Sequence, residues 1–472
     1  MKASGGIRSH DLTLTRRSLY QAELSRHERF LLRVYKKRFW LYKVKISISG
    51  VRGIYGKDLL AKDVFQFCNN FSTIIKSGKC VIARDTRPTG KIILENVSAS
   101  LMECGIDVYN LGMAPTPVVF REARKYGSGI IVTSSHNPIE WNGLKFIIEG
   151  KGINEDQLQI VKQKQETNKE KFGNEIFIES NYISDVAKIV GNVKGNPTVT
   201  VDIGGGAAKN TAPMLLKKIG CYVKTINDDL DNSTRGPDPT SESLSELIQN
   251  TKRIGFAFDL DSDRLVVVSD GKKRSPDITL GLGIVKAIQL GHKKFVLSTD
   301  SSIGIEKYII NHGCEVLKSK VGEVNVIQKI LESDSHAGGE GSSGGFILPE
   351  FNMCRDGILA SGMIISMLDQ KEFHDAIEFF EKYTQIRIKI PIPSISHDKI
   401  IKRLEEKLAD RYKVDLLDGV KVMFNDDSWA LIRKSNTEDI IRLSLESNDI
   451  EFVKDKQREI TDLVNESYEE IK

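Results

Sequence analysis

Residues 79–85 read KCVIARD, a short β-rich run that ends in a polar loop at Asp85. The stretch over 91–103 is helix-forming. Gly105 closes it, and 106–109 supplies a second strand. Glycine suits that place because a helix C-terminus commonly ends in the left-handed conformation, which costs glycine nothing. The same order recurs twice. TVTVD at 198–202 is followed by Gly204-Gly205-Gly206, a helix over 209–218, Gly220 and a strand at 222–225. KFVLSTD at 294–300 is followed by a helix over 303–311, Gly313 and a strand at 315–317. The terminal aspartates are 117 and 98 residues apart. Buried strands alternating with helices predict doubly wound α/β units, and the threefold recurrence predicts a triplicated domain.

The last part of the chain reads differently. IKIPIPSIS at 388–396 is punctuated by proline and predicts a hinge or an edge strand. A charged helix over 397–409, a strand pair turning at Asp418-Gly419 and a final helix near 454–468 follow, which predicts a smaller α+β domain. The expected division is a basic extension at 1–43 outside the fold, α/β domains at 44–190, 191–292 and 293–390, and an α+β domain at 391–472.

A chain of 472 residues is too long for one core. Hydrophobic content of 40% and charged content of 28% fit a globular protein, and no apolar run is long enough to span a bilayer. The six cysteines are scattered and form no Cys-x-x-Cys pair, which argues for a reduced, cytoplasmic setting without a thiolate metal site. Residues 1–43 hold 11 Lys/Arg against 3 Asp/Glu, so the remainder is mildly acidic despite the total of +4. No body-wide nucleic-acid footprint follows from that balance. The leader itself reads as an extension outside the fold, as an Arg-rich targeting segment or as a basic arm.

Five stretches carry chemistry. GFAFDLDSDRLVVV at 255–268 sets Asp259, Asp261 and Asp263 at alternate positions between two apolar strands. Three carboxylates this close repel unless a cation joins them, and oxygen-only ligands select a hard ion such as Mg²⁺. A calcium-binding EF-hand loop is excluded, because Arg264 stands where that loop needs glycine and strands flank it. IIVTSSHNPIEWNGLK at 130–145 ends an apolar strand in Ser135-His136, with Lys145 shortly after. Ser135 beside His136 suits a nucleophile with a base, yet the Gly-x-Ser-x-Gly elbow is missing. A phosphorylated Ser135 beside a divalent cation and a lysine suits the residues better. GGEGSSGG at 338–345 lacks the Lys-Ser/Thr of a phosphate-binding P-loop. Its Glu340, Ser342 and Ser343, in a mobile loop, suit hydrogen bonding to a polyol. RKSNTEDIIR at 433–442 offers Arg433, Ser435, Asn436 and Thr437 to an anion, or else a charged surface hairpin. Ser49-Gly50-Val51-Arg52-Gly53 places Arg52 between glycines, where backbone approaches a ligand closely.

Taken in order, these stretches resemble the α-D-phosphohexomutase family. That family has a Thr-x-Ser-His-Asn-Pro serine loop, an Asp-x-Asp-x-Asp-Arg metal loop, a Gly-Glu-x-Ser-Gly sugar loop and an Arg-x-Ser-x-Thr-Glu phosphate loop. The resemblance runs from about Val44 to the C-terminus and points to archaeal-type phosphoglucosamine mutases, with phosphomannomutase/phosphoglucomutases as the alternative. It implies three tandem α/β/α domains and a smaller C-terminal α+β domain around a central cleft. It implies a phosphorylated Ser135, and Mg²⁺ held by Asp259, Asp261, Asp263 and an oxygen on Ser135. Arg264 and Lys145 stand by the transferring group, with Lys145 or His136 moving the proton. Glu340 with Ser342 or Ser343 takes sugar hydroxyls. Arg433, Ser435, Asn436 and Thr437 take the idle phosphate, and Arg52 lines the cleft. The implied ligands are a hexose phosphate and a hexose 1,6-bisphosphate acting as activator and intermediate. No nucleic-acid or membrane partner is expected, and the oligomer is a monomer or a dimer. More distant readings are a Mg²⁺-dependent sugar phosphatase and a non-catalytic sugar-phosphate sensor. Three departures stand out. The sugar loop is one residue longer than the common pattern, Asp439 replaces a usual proline, and Glu323 follows Gly322 where many members have histidine.

Overall fold

The computed structural model describes residues 44–163, 171–435 and 439–471. The leader over 1–43 and the predicted phosphate contacts Asn436 and Thr437 lie outside the described residues.

Three sheets repeat one plan. In the first, the central strand Lys79–Arg84 pairs in parallel with Asp107–Met113 on one side and Ser128–Val132 on the other. In the second, Thr198–Asp202 lies between Tyr222–Ile226 and Ile254–Phe258, again parallel. In the third, Lys294–Ser298 lies between Glu315–Ser319 and Ala337–Glu340. Each central strand feeds the helix read from the sequence: Gly90–Glu103, Ala212–Lys218 and Ile303–Asn311. The glycines expected to end these helices, Gly105, Gly220 and Gly313, all have positive φ (75°, 102° and 68°). The third strand of each set is then followed by an antiparallel partner. These are Trp141–Ile148, Leu265–Ser269 and Gly345–Ile347. Strands such as Ser128–Val132 and Ile254–Phe258 are buried at every position, as parallel strands covered on both faces must be.

One apolar core runs through all three units, from Val119 and Ile131 through Phe256 and Leu265 to Phe346 and Ile364. Helix Pro276–Gln289 packs against strand Leu265–Ser269 of the second unit and strand Gly345–Ile347 of the third. A Cβ at Gly281 would lie 2.5 Å from the Phe380 ring, and one at Gly283 would lie 2.6 Å from the Phe346 ring, so only glycine lets this helix pack so closely.

The C-terminal domain has its own core, built on Ile400, Leu404, Ile432, Leu443 and Ile460. Its five-stranded sheet begins with Thr384–Pro391, an edge strand paired along Ile440–Ser447. The segment expected at 388–396 therefore starts as strand four residues earlier. Alternating Gln385-Ile386-Arg387-Ile388-Lys389-Ile390 supports the strand, and Pro391 and Pro393, which lack an N–H, stop it. Ile303, Trp429 and Leu431 form a small apolar joint with the third unit. Glu446 Oε2 accepts from Ile303 N at 2.7 Å across that joint and from its own sheet neighbour Trp429 Nε1 at 2.6 Å. Among the described residues no helix is long and apolar enough to cross a membrane.

Candidate active site

Three of the five stretches, those around Ser135, Asp259 and Glu340, occupy one topological position. Each is the turn between the last parallel strand of a unit and its antiparallel partner. The turns hold Ser135 in the first unit, Asp259, Asp261 and Asp263 in the second, and Ser342 and Ser343 after Glu340 in the third.

Ser135 is 1% exposed and has φ of +52°, an uncommon conformation for a residue with a Cβ. Its N–H donates to Thr133 Oγ1 at 2.8 Å, and Thr133 Oγ1 donates to Asp85 Oδ2 at 2.6 Å. Beneath the turn, fully buried Arg87 pairs with Asp85 at 3.1 Å. Its guanidinium donates to the carbonyls of Ser135 (2.6 Å), Asn137 (2.7 Å), Trp141 (2.8 Å) and Pro138. Burial pushes the Asp85 carboxyl up, and Arg87 and Thr133 oppose that shift. Arg87 is a positioning residue that the sequence reading did not single out. Its only signal was its place two residues after a repeat-ending aspartate.

Ser135 Oγ donates to Asp259 Oδ2 at 3.0 Å, and His136 Nδ1 lies 3.5 Å from the same hydroxyl. Burial, reinforced by Arg264 and Arg52, pulls His136 well below the usual imidazole range, so the ring is neutral. Asp259, Asp261 and Asp263 each offer an oxygen within 4.8 Å of the others, and all three are buried. Lys145 Nζ donates to Asp261 Oδ2 at 2.7 Å and to Asp263 Oδ2 at 3.0 Å, and Thr116 Oγ1 donates to Asp261 Oδ2 at 2.6 Å. Burial and then the neighbouring Asp261 and Asp263 push Asp259 well above the carboxylate range. Burial works against Asp261 and Asp263 too, but Lys145 and Thr116 hold Asp261 down. Arg355, Lys145 and Arg264 do the same for Asp263. Asp261 Oδ1 and Asp263 Oδ1 are buried without a hydrogen-bond partner. A hydroxyl and three carboxylates, two of which keep an unpartnered oxygen, form an all-oxygen donor set, which fits a hard divalent cation. Arg264 Nε stands 3.9 Å from both Asp259 Oδ2 and Asp263 Oδ1.

Arg52 joins this group from strand Gly50–Ile54. Burial lowers its pKa while Asp261 raises it. Gly50, two residues before it, serves a purpose other than the expected one. A Cβ at Gly50 would lie 2.4 Å from Leu144 O, so the close approach is to a neighbouring strand rather than to a ligand.

The sugar stretch is also more ordered than the expected glycine loop. Gly338 and Gly339 lie inside strand Ala337–Glu340, and one short turn at Gly341–Ser343 leads back to Gly345–Ile347. Glu340 is 5% exposed. It accepts from Gly322 N at 3.0 Å and from Arg355 Nη1 at 2.8 Å. Ser343 is buried with its hydroxyl on Glu340 O at 3.3 Å, whereas Ser342 is half-buried. Arg355 is the second residue missed from sequence. Besides Glu340 it reaches Asp263 Oδ2 at 2.8 Å and Glu323 Oε2 at 3.1 Å, tying the metal stretch to the sugar stretch. Burial pushes the Glu323 carboxyl up, and Arg355 opposes it.

Arg433 and Ser435 sit on the separate C-terminal sheet, at the end of strand Ser428–Lys434. Asp439, in place of a stiffening proline, accepts from Ser394 N at 3.0 Å through Oδ1, and its carbonyl accepts from Ile392 N at 3.1 Å. The acidic side chain is thus engaged with the segment that follows the edge strand.

The chain is similar to known proteins. The models of phosphoglucomutase/phosphomannomutase α/β/α domains I, II and III match residues 43–172, 180–272 and 276–383. A probable phosphoglucosamine mutase of Methanothermobacter thermautotrophicus is 32% identical over 422 residues, which cover 84% of this chain and 92% of the relative. A phosphoglucosamine mutase of Methanococcus vannielii is 31% identical over 461 residues, 89% of this chain and 99% of its own length. The crystal structure of a phosphoglucomutase/phosphomannomutase family protein from Burkholderia thailandensis superposes with a TM-score of 0.79 at 26% identity, covering 90% of this chain and 98% of that one. With three domain models matched in order and relatives above 30% identity along most of its length, the chain belongs to the phosphoglucomutase/phosphomannomutase family, the α-D-phosphohexomutases.

Proposed function

We propose that this protein is a Mg²⁺-dependent phosphohexomutase that exchanges phosphate between the 1- and 6-positions of a hexose, glucosamine phosphate foremost, through a phosphorylated Ser135. The observation that carries the reading is the 3.0 Å contact between Ser135 Oγ and Asp259 inside the aspartate trio. Phosphoryl transfer asks for positioning and charge neutralisation more than for covalent assistance. Asp259, Asp261, Asp263 and an oxygen on Ser135 would hold Mg²⁺, which when bound would supply positive charge to the transferring group.

The side chains do the rest. A free sugar hydroxyl attacks the phosphorus on Ser135, the bond from phosphorus to Ser135 Oγ breaks, and the sugar becomes a bisphosphate. The hydroxyl proton goes to a base, and Ser135 Oγ, leaving with the bonding electron pair, takes a proton in return. Lys145 Nζ, at 2.7 Å from Asp261 and 3.0 Å from Asp263, stands with Arg264 beside the transferring group. Lys145 or His136 moves a proton at the reacting centre, and His136 Nδ1, 3.5 Å from Ser135 Oγ, stands beside the leaving oxygen. The bisphosphate turns over in the cleft and returns its other phosphoryl group to Ser135. Arg433, Ser435, Asn436 and Thr437 hold the idle phosphate in either orientation. Glu340 with the more open Ser342 takes sugar hydroxyls, and Arg52 lines the cleft. Hexose 1,6-bisphosphate primes unphosphorylated enzyme.

The names of the two methanogen relatives favour glucosamine phosphate over mannose and glucose phosphates. The test supplies Mg²⁺ and a trace of hexose bisphosphate, with glucosamine, mannose and glucose phosphates assayed side by side. Ser135→Ala abolishes interconversion on this reading. Full activity in that variant defeats it. Release of inorganic phosphate indifferent to Ser135 means a phosphatase instead, and binding without turnover means a sensor.

A further inference from the structure

In the second unit the parallel register between Thr198–Asp202 and Ile254–Phe258 stops at Ala257 opposite Asp202. Phe258 lies one residue past that point, immediately before the turn that carries Asp259, Asp261 and Asp263. A side chain from another loop takes up its carbonyl. Arg235 Nη2 donates to Phe258 O at 2.7 Å and to Asp202 O at 3.3 Å, so one guanidinium bridges the ends of two neighbouring strands. Its Nε pairs with Asp202 Oδ2 at 3.0 Å, and the side chain is 5% exposed. Gly204, with φ of +59°, leaves room for the fork, since a Cβ there would lie 2.4 Å from Arg235 Nη2.

Phe258 O belongs to the same planar peptide group as Asp259 N. Holding that carbonyl fixes the direction in which the Asp259 side chain leaves the strand, and Asp259 is the carboxylate 3.0 Å from Ser135 Oγ. Two further carbonyls of the turn are held by backbone: Leu260 O accepts from Ala207 N and Asp261 O from Thr116 N, both at 2.8 Å. Arg87 grips the Ser135 turn in the same manner, paired with Asp85 while it donates to carbonyls. Three residues beyond Arg235, Asp238 Oδ2 lies 3.7 Å from Arg264 Nη1. The loop that carries both residues is itself tied down, because Gly236 N donates to Glu242 Oε1 at 3.1 Å and Lys273 Nζ donates to the carbonyls of Thr240 and Glu242.

We propose that the loop over 235–238 positions the reacting groups of the second unit, with Arg235 fixing the metal turn and Asp238 aiming Arg264 at the transferring phosphoryl group. Both are positioning residues, acting through Asp259 and Arg264. The inference rests on the mutase reading for its chemistry and extends it to a loop that carries no motif.

The test titrates Mg²⁺ into the full chain by calorimetry and separately measures kcat and KM at saturating Mg²⁺. Arg235→Lys keeps the charge, but an ammonium cannot span Asp202 and Phe258 as the fork does. Mg²⁺ affinity and kcat should each fall by about tenfold or more, with KM within about twofold of the parent. Asp202→Asn, which keeps the shape and loses the ion pair, should move both in the same direction. Asp238→Asn should leave Mg²⁺ affinity within about twofold and lower kcat by about tenfold. Melting temperatures report which variants fold, and if one of the Arg235–Asp202 pair does not, the other decides. Parent Mg²⁺ affinity and kcat in those variants, with only a lower melting temperature, would make the pair a strut and overturn the proposal. So would parent kcat in Asp238→Asn. A parent chain that binds Mg²⁺ without interconverting hexose phosphates would defeat the mutase reading instead, and the Mg²⁺ comparison would still decide on Arg235.

Discussion

Arg87 has no exposed surface and donates to four carbonyls of the turn that carries Ser135. Arginine suits this because its planar fork presents five donors, where lysine offers a compact ammonium. Arg87→Lys keeps the charge and loses the fork. Turnover should fall by about 100-fold with little change in KM, since a displacement of about 1 Å at the reacting group costs that much. Raised KM at constant kcat would contradict the positioning role. Lys145 makes a second case. Its ammonium lies between Asp261 and Asp263, where a divalent cation would also be attracted. Lys145→Met should therefore lower turnover yet bind Mg²⁺ more tightly. A larger rise in melting temperature on adding Mg²⁺ than in the parent would show it. Of this site, the aspartate trio and Ser135-His136 were legible because their spacing is local. Arg87 and Arg355 were not. Their partners are backbone carbonyls or side chains far along the chain, and a lone arginine in a loop carries no pattern.

The hairpin is the element that converts a triplicated fold into one site. Parallel strands deliver their loops to the same edge of a sheet. A tight antiparallel return then holds each loop by hydrogen bonds on both sides: Val132 opposite Leu144, Phe258 opposite Leu265, Glu340 opposite Gly345. Strand–helix–glycine–strand units were readable because alternation of period, buried β-formers and a terminal glycine agree with one another. The hairpin in the third unit was hidden, since Ala337–Glu340 has none of the β-branched residues that announce a strand. Its glycines answer to packing instead. A Cβ at Gly339 would lie 2.1 Å from Gly345 O and 2.5 Å from Leu280. Gly339→Ala should destabilise the protein by about 1–3 kcal/mol through overpacking and displace Glu340 with it. The measurable outcome is a lower melting temperature together with a raised KM for the hexose phosphate. An unchanged KM would mean that Glu340 does not hold substrate.

Across the whole molecule, one core binds the three α/β units together while the C-terminal domain keeps a core of its own, so their joint is where a relative movement would cost least packing. Sequence placed this break near 388–396 from its prolines, but the groups that close the joint are scattered through four segments and left no local trace. Lys421 is among them. Its Nζ donates to Thr299 O at 2.6 Å and lies 4.2 Å from the Trp429 ring, with Lys318, Glu306, Glu446 and Asp300 around it. Burial, then Lys318, lowers its pKa from 10.5 to about 8. Between those two values the unfolded chain holds the proton and the folded chain has released it, so stability rises with pH across that window. Below pH 8 both states carry the proton and the cost of burying the charge is fully present. Comparison with Lys421→Met isolates this group from the other lysines and tyrosines that titrate nearby. The stability of the parent relative to that variant should be level up to about pH 8 and climb by about 3 kcal/mol toward pH 10.5. Melting temperatures of both proteins over that range give the comparison. A difference that falls with rising pH would mean the ammonium is stabilised at the joint by Glu306 and Glu446, and that deprotonation opens the joint instead of securing it.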